Sequence, residues 1–166
     1  MMNFFKLFLA GLFFSQCMSS QEKKAFTTEA LKEQFLNQDK NTINLEEILN
    51  KHKGKILLID IWASWCPDCI NGLPKLKKLQ ADFPALQMVT LSYDKTFEAW
   101  QNGIQKHELI GDHYLIQSAW KGGDFRKQID LDWIPRYILI DKSGQIVKYR
   151  SIEADDSDLI NLLKTL

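Results

Sequence analysis

Ile56-Leu57-Leu58-Ile59-Asp60-Ile61-Trp62-Ala63-Ser64-Trp65-Cys66-Pro67-Asp68-Cys69 runs from an apolar stretch into a close pair of thiols. Residues 56–61 read as a strand buried on both faces, because apolar side chains fill both parities of its two-residue period. Beyond the thiols, Ile70, Leu73, Leu76 and Leu79 recur at helical spacing. Cys66 therefore stands at a strand-to-helix junction, with Pro67 in the first helical position, where its fixed φ suits the helix and its missing N–H costs nothing.

A free cysteine titrates near about 8.5, whereas at a helix N-terminus its pKa falls to roughly 3.5–7.5. As N-cap, the Cys66 sulfur faces the unpaired N–H groups of Asp68 and Cys69, which favour the thiolate. Cys66 is accordingly the expected nucleophile. Cys69, one turn further in, is expected to attack the mixed disulfide that Cys66 forms. Asp68 next to both sulfurs disfavours a second negative charge, which raises the thiol pKa and makes the pair more reducing. An acid in a first turn also complements the helix dipole, and both readings stand.

A chain of 166 residues with 45% apolar content suits one domain able to bury a core without covalent staples. Acidic and basic residues balance at 21 each, so no basic excess points to nucleic acid. Three cysteines with a single close pair do not make a disulfide scaffold. Residues 1–20 differ from the rest: Lys6, the apolar run Leu7–Phe14 and the small polar Ser15–Ser20 read as a secretory signal, leaving a domain over 21–166. Export to the periplasm or cell envelope follows. Cys17 lies where a bacterial lipoprotein would be acylated, with Gln16 in the place of the usual small residue. Lipid anchoring there, the one route to membrane contact, and simple cleavage nearby both remain open.

Along the domain, 21–34 is a polar approach without a period. Phe35-Leu36 and Thr42-Ile43-Asn44 flank a turn at Asp39-Lys40-Asn41 and predict a short N-terminal hairpin. Leu45, Ile48 and Leu49 give one face to a brief helix ending near Gly54. The strand at 55–62, a helix over 67–83 kinked by Pro74, and a strand at 86–92 form a β-α-β unit, so the sheet is partly parallel. Residues 93–96 open a helix with Phe97, Trp100 and Ile104 on one face. A loop is expected to carry Tyr114-Leu115-Ile116, and Asp124 to cap a short helix with Phe125 and Ile129 inward. Two strands, 137–141 and 145–149, join at Lys142-Ser143-Gly144, and Asp155–Asp158 begins a last helix buried by Leu159, Ile160, Leu162, Leu163 and Leu166.

The cysteines at a strand–helix junction, Pro74 within the helix and Trp133-Ile134-Pro135 before a hairpin resemble the thioredoxin superfamily, in particular its exported TlpA and ResA type. The match covers about 43–166, and 93–130 resembles the helix–strand insertion of that branch. The resemblance implies an α/β fold with a central mixed sheet flanked by helices. It implies that Pro135 follows a cis peptide bond opposite Cys66, and that Ile134 offers backbone groups to an extended peptide. Arg136 follows, where members often have Thr, and its charge is expected to bias which partners dock. Asp60 matches the buried acid of thioredoxin. Burial raises its pKa toward neutrality, so that it takes the proton of Cys69 as a general base. Trp62 and Trp65 wall the site, and Trp65, beside the nucleophile, is the expected substrate contact.

The expected function is a cell-envelope thiol:disulfide oxidoreductase, a reductant of protein disulfides through Cys66 and Cys69. It needs no cofactor and is kept in its working state by a membrane redox partner. A disulfide-donating oxidase uses the same fold. A metal-binding module is a further alternative, although no second cysteine pair and no close histidine pair exists among His52, His107 and His113. Peroxide reduction is a third, although Ser64 stands where a Thr two before a peroxidatic cysteine is expected.

Overall fold

A computed structural model describes residues 23–166. The expected signal segment and Cys17 lie outside them. Seven strands form one sheet in the order β2-β1-β5-β4-β3-β6-β7. Its centre is β3 (Leu57–Trp62), every residue of which is buried, paired in parallel with β4 (Gln87–Ser92) and antiparallel with β6 (Arg136–Ile140). β7 (Ile146–Ser151) closes one edge on β6. The predicted hairpin, β1 (Gln34–Leu36) with β2 (Thr42–Asn44), closes the other.

Two expectations fail in the region between β4 and β6. Tyr114, Leu115 and Ile116 belong not to a loop but to β5 (Asp112–Ile116), parallel to β4 and antiparallel to β1. Their partners are remote in sequence, so nothing local marked the pairing. Asp124 is not a cap: the N-cap of α5 (Asp124–Gln128) is Gly123, and Asp124 in the first turn pairs with Lys127 at 3.3 Å. A Cβ on Gly123 would lie 2.1 Å from the carbonyl oxygen of Ala119, so the turn admits no larger residue there. A further helix, α1 (Thr28–Leu31), lies within the approach that showed no period; one turn is too short to show one.

Helix α2 (Leu45–Lys51) is held by a capping box in which Asn44 and Glu47 exchange bonds of 2.9 Å. Leu73, Leu76 and Leu79 of α3 (Pro67–Asp82) share a cluster with Leu58, Leu139 and Leu159, which puts α3 and α6 (Ser157–Leu163) on one face of the sheet. α3 continues through Pro74. In α6 Leu159 and Leu163 are the buried residues, and Ile160, Leu162 and, beyond the helix, Leu166 are partly buried against the same cluster. α4 (Phe97–His107) lies beside α3, where Lys77 reaches Glu108 and Gln80 donates to the Ile110 carbonyl. Phe35 of β1 meets Phe125 of α5 edge to face at 5.2 Å. Among the described residues no helix is long and apolar enough to cross a membrane.

Candidate active site

β3 ends at Trp62, and its chain turns through Ala63, Ser64 and Trp65 into α3. The turn is held from the neighbouring strand. Asp94, two residues beyond β4, accepts from the Ser64 N–H at 3.1 Å, the Ser64 hydroxyl at 2.6 Å and the Ser92 hydroxyl at 2.8 Å. Trp65 is tied to the same segment, its indole N–H donating to the Tyr93 carbonyl at 3.2 Å. Trp62 is fully buried as core, while Trp65 is 47% exposed.

Cys66 is the N-cap of α3, and its Sγ accepts from the Cys69 N–H at 3.1 Å. A helix-terminal amide that would otherwise lack a partner thus points at the sulfur, the arrangement that favours a thiolate. The cysteines are joined by a disulfide, with Cα atoms 5.3 Å apart. Both are almost fully buried. Opposite Cys66, the Ile134 carbonyl oxygen lies 3.6 Å from its Sγ, and the Ile134–Pro135 peptide bond is cis. Trp133 before this loop and Ile152 after β7 are exposed large apolar side chains. With Pro135 they line a cavity of about 210 Å³ that reaches Asp68.

Asp60 lies in the middle of β3, between Thr90 of β4 and Tyr137 of β6. Its side chain is 2% exposed and Oδ1 has no hydrogen-bond partner. Burial pushes its pKa up to about 7, because no partner offsets the lost hydration of the carboxylate. The carboxyl can therefore gain or lose a proton near neutral pH.

Arg136 does not face an incoming partner. It is 2% exposed and pairs with Asp132 of the same chain, which also lies 3.8 Å from Arg150. Position 136 pairs with Ile61 inside the sheet, so its charge is spent within the fold. Among the described residues no group of three or more His, Cys, Asp or Glu side chains gathers as a metal site.

Sequence reading brought out Cys66, Cys69, Asp60, Trp65, Ile134 and Pro135, and the fold gathers both cysteines, Ile134 and the cis proline in one place. It missed Asp94, read only as part of a helix opening, and Trp120, which packs edge to face on Trp65 at 6.1 Å and on Tyr93 at 5.0 Å. An acid just past a strand that neighbours the cysteine strand was the available signal for Asp94. Trp120 stands in a segment without period and had none.

Two sulfurs at the foot of a helix, facing a cis proline across the end of a mixed sheet, are the construction of a thiol–disulfide oxidoreductase. The family described as thioredoxin-like matches residues 54–146, more than half of the sequence, and the chain belongs to that family. It is similar to the thiol-disulfide oxidoreductase ResA of Bacillus thuringiensis, 25% identical over 120 residues that make up 71% of this chain and 67% of the relative. It is also similar to the thiol:disulfide interchange protein DsbE of Vibrio cholerae, 29% identical over 104 residues, 60% of this chain and 51% of that one. Among solved structures, the thioredoxin domain of a thiol-disulfide oxidoreductase from Bacteroides vulgatus superposes with a TM-score of 0.64 at 25% identity, over 80% of this chain and 90% of that one. A thiol:disulfide interchange protein from a Bacteroides species shares the fold with a TM-score of 0.66 at 24% identity, over 87% and 89% of the two chains.

Proposed function

We propose that the chain is a cell-envelope reductant of protein disulfides. The Cys66 thiolate attacks one sulfur of a substrate disulfide and expels the other as a thiolate, which takes a proton from water. Cys69 then loses its proton to Asp60 and attacks the Cys66 sulfur, freeing the second substrate thiol. Two electrons pass from the protein dithiol to the substrate, and Cys66–Cys69 is left as a disulfide. Trp65, Ile134 and Pro135 form the surface on which the substrate chain lies. A membrane redox partner returns the pair to the dithiol.

The observation that carries this reading is the 3.1 Å contact between the Cys69 N–H and the Cys66 sulfur, with the Ile134 carbonyl 3.6 Å across from it. In the reduced pair the same amide supports a thiolate on Cys66, and the Ile134 carbonyl stands beside the sulfur as a backbone acceptor for a substrate chain. Asp68, exposed in the first turn, supports the reducing direction. Export is supported by the apolar run Leu7–Phe14 and the small polar residues after it.

Reduction of insulin by pre-reduced protein tests the reading. Cys66→Ser is expected to abolish it, and Cys69→Ser to trap the substrate on Cys66 as a mixed disulfide visible by mass spectrometry. Insulin reduction by Cys66→Ser at the wild-type rate would refute the assignment. The reduction potential of the couple separates donor from acceptor: a value near that of thioredoxin, about −270 mV, supports a reductant, and one near about −120 mV a disulfide donor.

A further inference from the structure

The two flanks of Cys66 differ in charge and in shape. On the Trp65 side a groove of about 1050 Å³ opens between the active-site turn and the segment after β5, and Trp65, Tyr93 and Trp120 form its apolar wall. Lys95 and Lys121 stand on it, both exposed. Among the described residues neither is in an ion pair. The one acid on that lining, Asp94, is buried and turned inward to Ser64 and Ser92. Behind the wall, the Arg126 guanidinium lies 4.3 Å from the Trp120 ring and donates to the carbonyls of Leu131 and Trp120. No described carboxylate pairs with it, but Glu33 acts on Tyr93 with the opposite sign, so the positive face of the groove rests on the two lysines.

Across Pro135 the sign is reversed. The small cavity beside Trp133 and Ile152 carries Asp68 and Glu153. Its single cation, Lys75, is shared between Glu153 at 2.7 Å and Asp155 at 3.2 Å. Asp68 has no described ion-pair partner. A polypeptide lying across the Ile134 backbone with its cysteine at Cys66 therefore meets lysines and edge-to-face aromatics on one side and carboxylates on the other.

We propose that the substrate is an extended, unfolded polypeptide segment with charge distributed unequally about its cysteine: acidic and apolar where it enters the Trp65–Trp120 groove, basic where it crosses Trp133 and Glu153. This rests on the proposed disulfide exchange at Cys66 and adds the class of sequence it acts on. Complementary fields of this kind act chiefly on encounter rate and register, and exposed charges lose most of their effect beyond about 10 Å at 0.1 M salt.

The test uses pre-reduced protein and two synthetic peptides of one composition. One has two glutamates before and two lysines after a single cysteine, and the other has the reverse order. Each cysteine is capped as a mixed disulfide with 2-mercaptoethanol, and a third peptide has alanines in place of the charges. One order is expected to react about three to ten times faster at low ionic strength, with the ratio falling toward one in about 0.5 M salt. The winning order gives the chain direction across Pro135. The double variant Lys95→Glu, Lys121→Glu is expected to erase or invert the preference, read as the ratio of the two charged peptides' rates with each divided by the rate of the alanine peptide on the same protein. Equal rates for the two orders, or a preference untouched by salt and by the double variant, overturns the inference. Failure to reduce the alanine peptide as well would instead sink the exchange activity on which it rests.

Discussion

At the scale of single residues, two buried carboxylates stand in different settings, Asp60 without a hydrogen-bond partner in β3 and Asp94 bonded to the turn that carries Cys66. Asp60, pushed up to about 7 by burial, is protonated in mild acid and ionised in mild base. If it accepts the proton of Cys69, release of a mixed disulfide preformed on Cys66 quickens as pH rises through about 7, and Asp60→Asn removes that inflection. General base catalysis is typically worth about 100-fold or more, so the variant is expected to lag by about that factor at pH 8. Stopped-flow release rates against pH measure it, and coincident profiles would exclude Asp60 as the base. Asp94 holds the turn. Asp94→Ala leaves the Ser64 N–H and two hydroxyls without their acceptor, at a cost of roughly 2–4 kcal/mol in urea melts, and frees the turn that carries Cys66. Alkylation of Cys66 by iodoacetamide should change in Asp94→Ala and less in Asp94→Asn, which keeps one acceptor oxygen. Asp60 and the cysteines were legible because they lie in one local motif. Asp94 and Trp120 reach the site only through the pairing of β3 with β4 and the return of the chain after β5, which no local pattern encodes.

At the scale of elements, the strands and helices with a clear period were legible: β3, β4, α3, α4 and the β6–β7 pair all lie within a few residues of their expected places. β5 was expected only as the strand of the resembled helix–strand insertion and not placed at 112–116, because a short apolar run gains its identity from hydrogen bonds to β4 and β1. That strand matters to the whole sheet, since among the described residues it alone joins the hairpin to the other strands. The contact between α4 and the active-site turn was equally invisible. A Cβ on Gly103 would lie 2.8 Å from Ser64 Cβ and 3.1 Å from Trp62 Cη2. Gly103 is thus a point of close approach between α4 and the cysteine-bearing turn. In an isolated helix Ala would be favoured over Gly by about 1 kcal/mol, while overpacking of this kind costs about 1–3 kcal/mol. Gly103→Ala is therefore expected to lose about 1 kcal/mol net in urea melts, and to slow insulin reduction because Ser64 must shift. A more stable protein of unchanged activity would show that α4 can move aside freely.

At the scale of the whole molecule, the acid at the centre of the sheet ties stability to pH. Unfolded, Asp60 ionises near 3.8; folded, it does so only at about 7. Between these values the folded protein keeps a proton that the unfolded chain has lost, so the contribution of Asp60 to stability is full below about pH 3.8, falls through the window and is gone above about 7. The difference in pKa amounts to about 4 kcal/mol. Asp132, Asp141 and Asp156 are shifted the other way, and their contributions are lost as pH falls. The measured curve of the wild type therefore mixes both signs. Comparison with Asp60→Asn isolates the central acid, because the other carboxylates cancel between the two proteins. The stability of the variant relative to wild type is expected to rise by about 4 kcal/mol from pH 4 to pH 8, read from urea melts at half-unit steps. Parallel curves would mean that Asp60 is ionised in the fold throughout, and a proton acceptor for Cys69 would then have to be found elsewhere.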